Sequence, residues 1–283
     1  MEAGRPSVTA QGAAMLRAAH QLLDTPRIFV DPLALTIIGT EAEAALRADP
    51  VSFQTPYRRR QRANIAARSR HAEDALAKAR RRGVRQYVIL GAGLDTFAYR
   101  SVSEDGALDV FEVDHPATQA WKRQRLAERG MAATRRLTYV PIDFERQRLA
   151  DALRDAGLDM DQPVFVSWLG VTTYLTRDAV FQTLRSVAGL APSSAIIFTY
   201  AQSPETLDPE QRAMFDAAAE RVAALGEPWR SFFEPAALAE DLRAVGFAAI
   251  EDLGPADIHA RYFADRSDGF APGPTGHLAL AAL

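Results

Sequence analysis

Cysteine is absent from all 283 positions, which excludes disulfides, thiolate metal sites and cysteine nucleophiles together. Long hydrophobic runs are missing as well: no stretch approaches the roughly eighteen apolar residues that mark a membrane-spanning helix. The opening Met-Glu-Ala-Gly-Arg-Pro lacks the charged-then-apolar pattern of a secretion leader. Both absences predict a cytoplasmic location. Neither sign of charge dominates, with 33 Lys and Arg against 36 Asp and Glu and a net charge of -3. No general attraction to nucleic acid or to an anionic membrane is expected. Histidine is sparse, and His20, His71, His115, His259 and His277 are so scattered that each reads as a surface or packing residue rather than a metal ligand. There is no internal repeat and no Gly-Lys-Ser/Thr phosphate loop.

What remains is the composition of a soluble globular protein, 48% apolar and 24% charged. Its length suits one α/β domain with a sizeable core. The chain is organised around Gln86 to Arg100, Gln-Tyr-Val-Ile-Leu-Gly-Ala-Gly-Leu-Asp-Thr-Phe-Ala-Tyr-Arg. Tyr87 to Leu90 has the continuous apolar character of a strand buried on both faces, and it runs into Gly91-Ala92-Gly93. Glycines at such a junction permit a tight turn and leave the backbone bare for a ligand. Thr96 stands where a dinucleotide fingerprint has its third Gly or Ala, which disfavours a nicotinamide or flavin dinucleotide. About twenty residues on, Asp109-Val-Phe-Glu-Val-Asp114 is a second buried strand ending in carboxylates, the spacing at which a carboxylate reaches ribose hydroxyls. A nucleoside without a pyrophosphate fits both observations.

The remaining pattern is regular. Apolar residues at helical spacing predict a capped amphipathic helix over residues 7–23, followed by a loop over 24–32. Residues 56–83 predict a long basic helix or helix pair stopped by Gly83; with no aromatic residues interleaved to stack bases, its arginines read as a solvated face. Further helices are expected over 117–129, 149–156, 177–190, 207–225 and 235–245, and strands over 137–143, 163–168, 195–200, 248–253 and 277–283. Strand and helix alternate through the middle of the chain, and helices are expected to follow the glycine turn and the later strands. This predicts a doubly wound, mostly parallel sheet that binds ligands outside the carboxyl ends of its strands. Gly91, Asp114, Asp143 and Trp168 all fall at such ends.

Several of these motifs, in order, resemble the leucine carboxyl methyltransferase family, in its bacterial S-adenosylmethionine-dependent branch. The residues that carry the likeness are Gln86 to Arg100, Phe111-Glu-Val-Asp-His-Pro116 with Lys122, Ser7 to Arg17, Asp31-Pro-Leu-Ala34, Arg68-x-Arg70 with Asp74, Val140-Pro-Ile-Asp143, and Trp168 to Leu175. The resemblance implies a Rossmann-like class I methyltransferase fold, a mostly parallel seven-stranded sheet with helices on both faces and a helical cap. It further implies a single domain: cap and lead-in helix over 1–85, cofactor core over 86–200, lid insert over 201–233 and sheet completion over 234–283. The implied cofactor is S-adenosyl-L-methionine and the implied partner a small-molecule acceptor.

Carried over residue by residue, the resemblance sets Gly91 and Gly93 against the methionine and ribose, and Asp114 on the ribose hydroxyls. Glu112 shares a strand face with Asp114 and is an alternative for that contact. Asp143, with the backbone of Phe144, would meet the adenine amino group, and Asp95 either caps the next helix or touches the cofactor. Arg70 is the expected partner of the methionine carboxylate, with neighbouring Arg68 as the alternative. Tyr174, Trp229 and Phe233 are candidates for the acceptor pocket, and no catalytic residue is singled out. One departure stands out. Better-studied members carry an acidic motif before the Tyr-Leu pair where this chain has Trp168-Leu-Gly-Val-Thr172, which points away from a protein C-terminal leucine and toward a small carboxylic acid or polyketide-like metabolite as acceptor. An NAD-dependent oxidoreductase and a non-catalytic S-adenosylmethionine-binding protein remain as alternatives.

Overall fold

The computed structural model describes residues 6–100, 108–134 and 136–283. Residues 1–5, which carry most of the leader-free reading, lie outside the described residues. Residue alternation decides which face of the sheet each side chain takes. In β1 (Gln86–Leu90), Val88 and Leu90 enter one core layer while Tyr87 and Ile89 enter the opposite one. In β2 (Asp109–Asp114), Phe111 and Val113 join the first layer and Val110 the second. β3 (Arg136–Pro141) is less buried, as an edge strand should be. β4 (Val164–Trp168) and β5 (Ala195–Ala201) follow the central pattern, sending Val166, Trp168 and Phe198 one way and Phe165 and Ile197 the other. Burial on both faces is the reason these segments read as apolar runs.

The sheet has seven strands in the order β3-β2-β1-β4-β5-β7-β6, where β6 is Ala249–Leu253 and β7 is Gly276–Ala282. β1 to β5 are parallel; β7 lies antiparallel between β5 and β6. This is the expected class I methyltransferase arrangement, with the strand order reversing between β1 and β4.

Helices α1 (Val8–Leu23), α2 (Ala34–Ile38), α3 (Thr40–Ala48), α4 (Pro56–Arg81) and α5 (Pro116–Glu128) contribute to the second core layer. The first layer is covered by α6 (Leu149–Asp155), α7 (Arg177–Ala188) and, after the lid helix α8 (Pro209–Ala224), by α9 (Pro235–Val245). A smaller cluster gathers around α10 (Pro255–Tyr262) and the middle of α4. Hydroxyl caps open three of these helices: Ser7 accepts from the Ala10 N–H, Thr55 from Arg58 and Thr176 from Ala179. α1 is anchored to α4 by a buried network in which Arg62 donates to both oxygens of Asp24, at 2.9 and 3.0 Å, while His20 Nδ1 sits 2.8 Å from the same carboxylate. Burial opposes the charge on Asp24, but His20 and Arg62 outweigh it and hold the carboxyl below the usual range.

Sequence and structure part company at two places. The short helices α2, α3 and α10 carry no strong periodic signal; none has a side chain capping its first turn except through Asp257 of α10, which accepts from the Gly254 N–H. The helix expected after the glycine turn is absent from the described residues, where only a 3-10 turn over Phe97–Tyr99 follows. Asp95 explains this locally, because its carboxylate accepts the Phe97 N–H at 2.7 Å and diverts the chain into a side-chain-closed turn. Among the described residues no helix is long and apolar enough to cross a membrane.

Candidate active site

A cavity of about 990 Å³ opens over the carboxyl ends of β1, β2, β4 and β5, walled by α1, by one face of α4 and by the lid segment around α8. Its floor is the glycine turn. Gly91 has φ +64°, and a Cβ there would stand 2.3 Å from Val171 Cγ2. Gly93 has φ +49°, and its missing Cβ leaves room for Ala10 of α1 at 3.2 Å. Gly91 is therefore required by conformation and by space, and Gly93 chiefly by its left-handed conformation. The turn is tied to β2: the N–H groups of Gly91 and Ala92 donate to Val113 O at 2.8 and 3.1 Å.

Asp114 ends β2 at the cavity wall, only 9% exposed. It accepts the Gly93 N–H at 2.5 Å and the His115 N–H at 2.7 Å. Burial raises its proton affinity in spite of those donors and of Lys122 nearby. Glu112 does not reach the cavity. One strand step back, it is covered by α5, where Lys122 Nζ donates to it at 2.6 Å with both side chains 1% exposed. The alternative between the two carboxylates is thus resolved by depth, and Glu112 is corrected to a buried structural ion pair.

Asp95 lines the cavity while closing its turn. Asp143 lies beyond β3, where its Oδ1 accepts the Glu145 N–H at 3.0 Å; beside it Phe144 packs on Trp168, ring centroids 6.0 Å apart. Both line the cavity. Trp168 itself is fully buried, so the residue at the cavity where an acid was expected is Leu169.

The arginine expectation is corrected. Arg70 is 52% exposed and grips Asp74 one turn along α4 at 2.9 Å, away from the cavity. Arg68 is the inward residue. Its guanidinium lies against Gly170, where an added Cβ would fall 2.5 Å from Nη1 and 2.8 Å from Nη2. Protein surrounds the group on all sides but the cavity, and burial lowers its pKa to about 10, with Tyr174 opposing the shift and Arg17 adding to it. Among the described residues no carboxylate pairs with it. A buried cation without a counter-ion is costly unless a ligand supplies the anion.

Two polar contacts were not foreseen. Arg17 of α1 lies 2.8 Å from Asp31 and donates to Leu94 O at 2.5 Å, while Thr96 donates to the same carboxylate at 2.7 Å. The N-terminal cap is thereby fastened to the glycine turn. Glu227 of the lid, 7% exposed, accepts the N–H groups of Val8 and Thr9 at 3.1 and 3.0 Å and the Ser7 hydroxyl at 3.3 Å. These are the orphan donors of the first turn of α1. Of the acceptor candidates, Tyr174 and Trp229 line the cavity. Phe233 does not; it is 2% exposed and packs in the core between Phe181 and Tyr200, a correction that follows from its N–H pairing with Ala201 O at the end of β5. Among the described residues no cluster of His, Asp and Glu is suited to a metal ion.

The sequence profile of the leucine carboxyl methyltransferase family matches residues 10–188. The chain belongs to that family. A Bacillus subtilis protein, YktD, named for S-adenosyl-L-methionine-dependent methyl transfer, is 31% identical over 98% of this chain and 98% of its own length. A Mycobacterium marinum protein with the same designation is 32% identical over 77% of this chain and 72% of its own. Among solved structures, a Thermobifida fusca protein named as a methyltransferase superposes with a TM-score of 0.58 at 19% identity, covering 99% of this chain and 96% of that one. A Streptomyces avermitilis protein gives 0.57 at 20% identity, with 96% of each chain covered. The structural likenesses speak to the fold, and the family membership leaves the NAD-dependent reading without support.

Proposed function

We propose that this S-adenosylmethionine-dependent methyltransferase methylates a carboxylate oxygen of a small-molecule acceptor. The observation that carries the reading is the half-buried Arg68, which no carboxylate pairs among the described residues, beside a glycine turn bounded by Asp114 and Asp143. The set fits the cofactor group by group. Arg68 offers a bidentate donor to its amino-acid carboxylate, the backbone at Gly91 and Gly93 admits the close approach of its ribose, Asp114 accepts from the ribose hydroxyls, and Asp143 with the Phe144 N–H addresses the adenine edge. When bound there, S-adenosylmethionine supplies a methyl group on a positively charged sulfur, which leaves with the C–S electron pair as the acceptor oxygen forms the new C–O bond.

The chain's own residues orient and enclose. The lid and α1, locked together by Glu227, exclude water from the cavity. An acceptor carboxylate is already ionised at neutral pH, so the cavity has to furnish hydrogen-bond donors rather than a base, and Tyr174 presents a phenol there. Leu169, in place of an acidic side chain, removes a charge that would repel a small acid.

Calorimetry with S-adenosylhomocysteine tests the cofactor half: micromolar binding to the wild type is expected, with at least a tenfold loss in Asp114→Ala, which still melts cooperatively though at a lower temperature because the Gly93 and His115 N–H groups lose their acceptor. Undiminished affinity in that variant would overturn the assignment of Asp114. Base-labile radioactive methanol, released from products made with methyl-labelled cofactor and a panel of carboxylic acids, tests the acceptor half. Base-stable labelled products would instead indicate ether or amine acceptors.

A further inference from the structure

Each carboxylate that lines the cavity has a protein partner and keeps lone pairs for a ligand, whereas two of the cavity's phenols have no partner among the described residues. Asp95, Asp114, Asp143, Glu145 and Glu227 each accept a backbone N–H. The hydroxyls of Tyr57 and Tyr174, by contrast, have no hydrogen-bond partner among the described residues, although both side chains line the cavity and are half-buried. Arg221 of the lid helix also lines it. Its guanidinium lies 5.2 Å from the Tyr57 ring centroid, and among the described residues no carboxylate is paired with it. The phenol of Tyr57 is shifted up, first by burial and also by the neighbouring Tyr174, with Arg221 opposing, so it stays protonated and able to donate at neutral pH.

These free donors form two stations. Arg68 is one. Tyr57 lies eleven residues earlier on α4, about three turns and roughly 16 Å along the same face of the helix, and Tyr174, on the 3-10 turn Thr172–Tyr174 just after Gly170, is close enough to influence both. The walls around the outer station are aromatic: Phe215 and Trp229 pack with ring centroids 4.9 Å apart, and both line the cavity. A volume of about 990 Å³ lies at the upper end of the roughly 300–1,000 Å³ usual for a single ligand site. It has room for a second molecule beside a nucleoside.

We propose that the outer station binds the acceptor as an aromatic monocarboxylate, with Tyr57 and Tyr174 donating to its carboxylate, Arg221 drawing the anion to the mouth, and the Phe215 and Trp229 pair packing against its ring from one side. The proposal rests on the methyltransferase reading and sharpens its acceptor. A carboxylate answers two phenols and a guanidinium better than a neutral head group, because ionised acceptors form the stronger hydrogen bonds. A planar ring answers the Phe215 and Trp229 faces through offset or edge-to-face contact. Tyr57 and Tyr174 act as positioning residues, so their removal should weaken acceptor binding without weakening cofactor binding.

The test titrates cinnamate, and separately its uncharged analogue cinnamamide, into the protein saturated with S-adenosylhomocysteine, following heat and Trp fluorescence. Cinnamate should bind at least about tenfold more tightly than cinnamamide to the wild type. Tyr57→Phe and Tyr174→Phe should each lose about tenfold in cinnamate affinity, leave cinnamamide unmoved and keep the affinity for S-adenosylhomocysteine. Arg221→Gln should slow cinnamate association and flatten its salt dependence, and Trp229→Leu should weaken acid and amide alike. Equal affinity for acid and amide, no binding of cinnamate at all, or an unchanged Tyr57→Phe would each overturn the proposal while leaving the cofactor site standing. Failure of the wild type to bind S-adenosylhomocysteine would strike the cofactor reading itself, and the acceptor station with it.

Discussion

Replacing Glu227 by Ala should loosen the first turn of α1. Val8 and Thr9 sit where a helix has no internal acceptor for its N–H groups, and the Glu227 carboxylate accepts both, at 3.1 and 3.0 Å. A hydrogen bond to a charged group contributes about 1.5–3 kcal/mol, and an anion at a helix N-terminus about 0.3–1 kcal/mol more. The two bonds share one carboxylate, so their sum is not additive, and about 2–4 kcal/mol against local opening is a fair expectation. That corresponds to a loss of roughly 30- to 1,000-fold in amide-exchange protection at Val8 and Thr9. Glu227→Gln keeps a carbonyl acceptor and loses the charge, so about half the effect should remain. Hydrogen exchange resolved to those amides is the measurement, and dissociation of S-adenosylhomocysteine should speed up in parallel because residues of α1 wall the cavity. Protection altered by less than threefold in the alanine variant would refute the reasoning.

Arg68→Met should cut affinity for S-adenosylhomocysteine by about a hundredfold without lowering the urea midpoint, since it removes a half-buried charge with no carboxylate partner among the described residues; Arg70→Ala, breaking only an exposed pair with Asp74, should leave that affinity unchanged. Burial pushes the carboxyl of Glu112 up to about 7 against the pull of Lys122. The folded state therefore holds that proton more tightly than the unfolded chain, and stability should fall as pH rises from about 4.5 through 7, on the order of a few kcal/mol. A flatter pH dependence of the urea midpoint in Glu112→Gln/Lys122→Met checks this; an identical slope would contradict it. Gly91→Ala forces a left-handed conformation that costs about 1–3 kcal/mol and drives a Cβ into Val171, so a lower melting temperature and weakened cofactor binding are expected together.

Much of the architecture was legible because period and position coincide. The central strands are buried on both faces and read as apolar runs, and Gly91, Asp114 and Asp143 were found because each ends a strand on the ligand side of the sheet. Side-chain direction on α4 was not legible. Arginines lie all around that helix, so the sequence carries no phase, and two residues of rotation separate the inward Arg68 from the exposed Arg70. Glu227 was invisible for another reason: its partners are some 220 residues away in the chain, and nothing local marks it. Phe233 failed as a pocket residue because an aromatic side chain after a lid suits cavity and core equally. Only its backbone bond to Ala201, at the end of β5, fixes it inward.

The place of β7 has a consequence for how the molecule is made. Among the described residues β6 pairs only with β7, and β7 enters between β6 and β5. Until residues 276–282 emerge during synthesis, Ile196, Ile197 and Phe198 form the open edge of a half-built sheet, and residues 249–253 have no strand to join. An unpaired apolar edge of this kind is a template for association with other chains. The nascent protein therefore depends on a late segment, or on a chaperone in its stead, to stay solitary while it folds.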